Sequence, residues 1–132
     1  MEVDYYCSQE GIKQFVHEKI IAKLEEQNPG VVGRHIADVC AEIDDALRPR
    51  FVLPLTHVPQ TIKRIASVLA AWRAIGAITS VMSTESSSGN MWLPLQTLYR
   101  EAMKDLEKIA AGEMDLGLVA LGNDADNTLG GI

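Results

Sequence analysis

The sequence predicts an all-α fold, a small helical domain of about four helices with an extended Pro-rich connector and a flexible C-terminal tail. Two observations carry this. Apolar residues return at helical spacing in separate stretches, and Pro, Gly and Asn cluster between them. The greasiest connecting stretch, RPRFVLPLTHV, carries Pro54, which bars it from the middle of a sheet. Residues 1–112 read as the helical domain and 113–132 as the tail.

The first helical stretch opens at Ser8, whose hydroxyl suits an N-cap. Ile12, Phe15, Val16, Ile20 and Leu24 form its stripe, with room for a break at Val16–His17. Asn28-Pro29-Gly30 is turn chemistry. The second stripe is Ile36, Val39, Cys40, Ile43 and Leu47, with Arg34, Asp38, Glu42 and Asp45 opposite. Gly30 and Gly33 blur its start. Pro49 is expected to end it by pushing Arg48 out of the α region.

The connector follows, punctuated by Pro49, Pro54 and Pro59. Pro59 suits the first turn of the next helix. That helix carries two stripes: Ile62, Ile65, Ala66, Leu69 and Trp72, then Val68, Ala71, Ile75 and Ile78. A helix apolar on most sides is either central or covered by a partner. Residues 79–92 are Ser-rich and read as a flexible loop. The last helix runs from Pro94 to Ala111 on Leu95, Leu98, Tyr99, Ala102, Leu106, Ile109 and Ala110, and Gly112 suits its left-handed end. The tail has no helical period but carries Leu116, Leu118, Val119 and Leu121. It is either a frayed terminus or a segment that orders on a partner.

A chain of 132 residues is long enough for one core without metal or disulfide. Two cysteines, Cys7 and Cys40, read as reduced thiols of a cytosolic product. Cys40 lies on an apolar stripe, where a thiol is a buried spectator. No signal peptide and no membrane-length apolar run is expected. A net charge of −6 argues against general nucleic-acid binding. Arg48, Arg50, Lys63 and Arg64 make only a weak cationic patch.

The search for chemistry yields no site. HEKII at 17–21 lacks the second His of a zinc-protease helix. GLVALGND lacks the Lys of a phosphate loop, and NDADNT lacks the Gly and Glu of a calcium loop. Glu42, Asp44 and Asp45 read as a solvated face, and His35 and His57 have no nucleophile in a recognisable pattern. The expectation is a structural or interaction protein that is not an enzyme and uses no metal or cofactor.

One arrangement is distinctive. Ile43-Asp44 near a helix end is followed by Arg50-Phe51, Leu53-Pro54-Leu55 and Val58-Pro59, then Ile62, Ile65-Ala66 and Leu69-Ala70. A second block holds Tyr99, Ala102, Leu106, Ile109-Ala110, Gly112 and Leu116-Gly117. Tyr6, Ser8, Ile12 and Phe15 fit the opening more loosely. Together these residues resemble the head–tail connector (head-completion or adaptor) proteins of Mu-like tailed phages. The resemblance covers most of residues 6–117; the Ser-rich loop and the longer tail depart from it. It implies a virion neck protein, assembled in the host cytoplasm as a ring of about a dozen copies. Its partners would be its own copies, the portal protein and the next neck or tail-completion protein, with DNA passing through without specific binding. Arg50, Phe51, Val52, Leu53, Pro54, Leu55, Val58 and Pro59 would then form either a contact between protomers or a cover over the protomer's own helices. An acidic surface fits a channel that does not grip its cargo, and equally a soluble protein. The alternative reading is a small cytosolic helical interaction or regulatory protein.

Overall fold

A computed structural model of the chain describes residues 6–76, 93–114 and 116. Five helices lie among them: α1 (Gln9–Ile12), α2 (Glu18–Gln27), α3 (Val31–Leu47), α4 (Gln60–Ala74) and α5 (Leu93–Ala110). The described residues contain no strand, and the all-α expectation holds. Ile78, the Ser-rich stretch 79–92 and the tail residues Leu118, Val119 and Leu121 lie outside the described residues.

The first helical stretch is two helices. Ser8 caps α1 by accepting the Gly11 N–H at 3.4 Å. After Ile12 the chain turns, with the Phe15 and Val16 N–H groups both donating to the Ile12 carbonyl. His17 then caps α2, its Nδ1 accepting the Lys19 N–H at 3.0 Å. The turn resets the register, so Ile21 rather than Ile20 is the fully packed residue beside Leu24. The HEKII stretch is thus a helix start.

α3 begins earlier than its apolar stripe indicates. Gly30 is left-handed at φ 85° and offers no side-chain cap. Glu25, from the last turn of α2, supplies one instead, accepting the Gly30 and Val32 N–H groups at 2.8 and 3.0 Å. A carboxylate at a helix N-terminus satisfies orphan donors and complements the dipole.

α4 is central. Ile62, Ile65, Ala66, Val68, Leu69, Ala70, Ala71 and Ala74 are buried, which settles the two-stripe pattern in favour of a helix enclosed by its own chain. It packs on α5, α3 and α1, while α3 also meets α5 and α2. Arg64 pairs with Asp105 at 3.1 Å, and Arg73 donates to the Tyr99 hydroxyl at 3.4 Å, so α4 and α5 run antiparallel. Arg73 also donates to Glu42 of α3 at 2.6 Å. Trp72 lies 5.8 Å from the Tyr99 ring, half-buried at the same seam. The carboxylate of Glu42, and then the Tyr99 hydroxyl, hold the Arg73 pKa above its ordinary value against the opposing effect of burial.

α5 ends as its sequence indicates. Gly112 has φ 80°, its N–H donates to the Ile109 carbonyl, and the Glu113 N–H donates to the Lys108 carbonyl. These two bonds are the Schellman pattern. Packing continues past residue 112, since Met114 and Leu116 rest against the core. The Arg50 guanidinium lies over Gly112, its central carbon 2.5 Å from where a Cβ would sit. A cation at this point also complements the C-terminal dipole of α5. Gly112→Ala is therefore expected to cost at least about 1–2 kcal/mol in urea unfolding, from the left-handed backbone alone. Displacement of Arg50 adds to that cost, so an Arg50→Ala background should show a smaller penalty.

Candidate functional site

The connector departs from expectation at its first residue. Arg48 stays in the α region, at φ −53° and ψ −40°. Its N–H donates to the Asp44 carbonyl, and the Phe51 N–H closes one more turn onto the Leu47 carbonyl. A proline disfavours this conformation in the preceding residue without forbidding it, and burial of Phe51 outweighs that preference. α3 still ends at Leu47, and a turn over residues 48–50 follows it, because Pro49 has no N–H with which to continue the helical ladder.

From Phe51 the chain runs through bends that are neither helix nor strand, with a cis peptide between Leu53 and Pro54. Its side chains alternate. Phe51 is 7% exposed, in the core. Leu53 and Leu55 are half-buried against that core, while Pro54 and Thr56 face outward. Val52 takes an outward position and is 68% exposed. This is the two-residue period of a chain lying along a surface. Val58 and Pro59 are half-buried, and His57 is exposed. Pro59 stands one residue before α4 rather than inside it, and its carbonyl accepts the Ile62 and Lys63 N–H groups.

The predicted site residues thus separate by role. Phe51, Leu53, Leu55 and Val58 pack into or against the chain's own core. Arg50, half-buried, ties the connector to the turn from which the tail leaves. Val52 alone of the connector's large apolar residues is turned to the outside. Leu116 is half-buried on the core, so the tail begins as part of the packed body. Reading FVLPLT with a strand-like period would have separated Val52 from Phe51, Leu53 and Leu55; grouping the run by hydrophobicity hid that difference.

A second cluster joins the N-terminal segment to α3. The Tyr6 hydroxyl donates to the Asp44 carboxylate at 2.6 Å. A hydrogen bond from the Cys7 side chain, against the opposing effect of burial, brings the Cys40 thiol from 9.0 down to about 7. Cys40 is buried as expected, and its neighbour is a second thiol, Cys7, which no local sequence pattern places there. The described residues contain no cluster of three or more His, Cys, Asp or Glu able to hold a metal, and no helix long and apolar enough to cross a membrane.

Two outcomes follow. Phe51→Ala should lose about 3–5 kcal/mol in urea unfolding, the usual loss for a buried aromatic ring. Cys7→Ala should raise the Cys40 pKa, read from thiolate absorbance against pH. A folded pKa below the unfolded one stabilises the thiolate. That contribution is complete above pH 9.0 and is lost as pH falls through about 7. Removing the Cys7 thiol should flatten this dependence.

The family model described as Bacteriophage Mu, Gp36 matches residues 6–132. The chain is also similar to Gene product J of Escherichia phage Mu, at 31% identity over 93 residues. That alignment takes in 70% of this chain but only 57% of the relative, so the chain spans little more than half the length of the curated protein it matches. An all-helical chain matched across its whole described body is a phage protein, and it belongs to the Bacteriophage Mu Gp36 family.

Proposed function

We propose that this protein is a head–tail adaptor of the virion neck. Copies of it form a ring of about a dozen beneath the portal. DNA passes through that ring without specific binding, the next neck or tail-completion protein docks on its far side, and no catalysis is involved. Membership of a phage family supports the setting. The connector supports the mode of action. Val52 is a large apolar side chain held outside by a buried Phe51 on one flank, a half-buried Leu53 on the other, and Pro49 and Pro54. Such a residue enters an interface with little left to order, which lowers the entropic cost of assembly. The observation that carries the reading is the contrast between an outward Val52 and an inward Phe51 in adjacent positions.

The contrast separates folding from assembly. Val52→Asp should leave urea-unfolding stability within about 0.5 kcal/mol of the parent, as for most surface changes. The same variant should fail to form a ring on the portal of its phage, as read by native mass and negative-stain imaging. A parent chain that stays monomeric or dimeric with excess portal would overturn the adaptor reading and favour a small helical regulator. A Val52→Asp ring indistinguishable from the parent's would remove Val52 from the interface.

A further inference from the structure

α1 and the first half of α4 enclose a groove of about 700 Å³. Gly11 lets the α1 backbone come close to α4 here, for a Cβ at that position would lie 2.6 Å from the Ser67 hydroxyl. Ser67 lines the groove and is 7% exposed, the one buried polar side chain among the described residues. No hydrogen bond to its hydroxyl is found among those residues, and a buried hydroxyl without a partner is costly. At the groove's other end stands the N-terminus of α4. Pro59 provides no side-chain cap, and the intrahelical bonding starts only at the Ile62 N–H, so the Gln60 and Thr61 N–H groups precede it. Lys63 lines the same wall, is exposed, and makes no ion pair among the described residues. Arg64 beside it is held by Asp105, and Glu10 opposite is held by Lys13 at 3.2 Å. The groove thus brings together the Ser67 hydroxyl, the Gln60 and Thr61 N–H groups and the Lys63 ammonium.

The chain itself contains a matching segment. Residues 117–132 carry Asp124 and Asp126 and neither Lys nor Arg, together with Leu118, Val119 and Leu121. Because α4 and α5 are antiparallel, the chain leaves α5 at the end of the bundle where α4 begins, beside Arg50. Sixteen extended residues reach roughly 50 Å, farther than a body of this size is wide, so the short distance back to the groove is easily covered. Attachment through so short a span also gives a high effective concentration.

We propose that the groove between α1 and α4 is a docking site for the protein's own acidic, apolar C-terminal segment, residues 117–132. The Asp124 and Asp126 carboxylates meet Lys63 and the α4 N-terminus, the apolar residues lie over Phe15, and a backbone carbonyl accepts from Ser67. The inference is independent of the ring, since it describes the single protomer.

The test uses the full-length chain with p-benzoylphenylalanine in place of Leu121, prepared in light and heavy isotopic forms, mixed, irradiated and mapped by mass spectrometry. Cross-links within one copy to the α1 or α4 wall, unchanged on dilution, are the expected result. Lys63→Glu should reduce them to background. Ser67→Ala should weaken them while leaving the fold as stable or more so, because it removes a buried unpaired hydroxyl. Cross-links between light and heavy copies would assign the groove to a neighbour's tail and overturn the proposal. Cross-links to another surface, or a yield unaffected by Lys63→Glu, would overturn it as well. Native mass of the parent with the portal judges the ring separately.

Discussion

Helix α4 is apolar on almost every side, and the rest of the protein is arranged to enclose it. Ala66, Ala70, Ala71 and Ala74 keep its surface shallow, so α1, α3 and α5 can all approach while Ile62, Ile65 and Leu69 fill the space between them. The polar groups on such a helix have to find partners at the seams. Arg73 does so with Glu42 and Tyr99, and Arg64 does so with Asp105. These pairs are partly exposed, and such pairs contribute modestly to stability. Their larger effect is to fix the order and direction of the helices around the apolar core.

The same constraint shapes the connector. A chain leaving α3 and returning to start α4 has to cross the end of a core that needs covering. Phe51 enters that core, and Leu53, Leu55 and Val58 lie on it. Alternation along an extended chain then forces Val52 outward. The apolar character of the connector thus has two outcomes that composition alone cannot separate: it closes the core and leaves one large apolar side chain exposed. Prolines within such a segment reduce the freedom of the unfolded chain as well as that of the folded one.

Three features meet at one end of the bundle: the start of the connector, the root of the tail and the opening of α4. Arg50 over Gly112 joins the first two, and the antiparallel α4–α5 pair brings in the third. For a protein proposed to join a ring, this sets the turn that leads into Val52 beside the root of the tail at Gly112. In a chain of net charge −6, Arg50 and Lys63 are two cations toward that end that make no ion pair among the described residues.

The sequence by itself determined the helical class, the existence of α3, α4 and α5 and the left-handed end at Gly112, while it left α4 either central or covered by a partner. Each of these follows from local periodicity or from the conformational rules of a single residue. It also carried the family resemblance, because that lies in the order of short motifs. Only the tertiary structure decided the rest. The α conformation of Arg48 required the burial of Phe51 to outweigh a local preference. The N-terminus of α3 required Glu25 from another helix, and the register of α2 required a turn after Ile12. The Cys7–Cys40 contact, the Ser67 groove and the outward Val52 depend on which surfaces come together. Such contacts join residues far apart along the chain, and nothing in the local pattern of one sequence encodes the pairing.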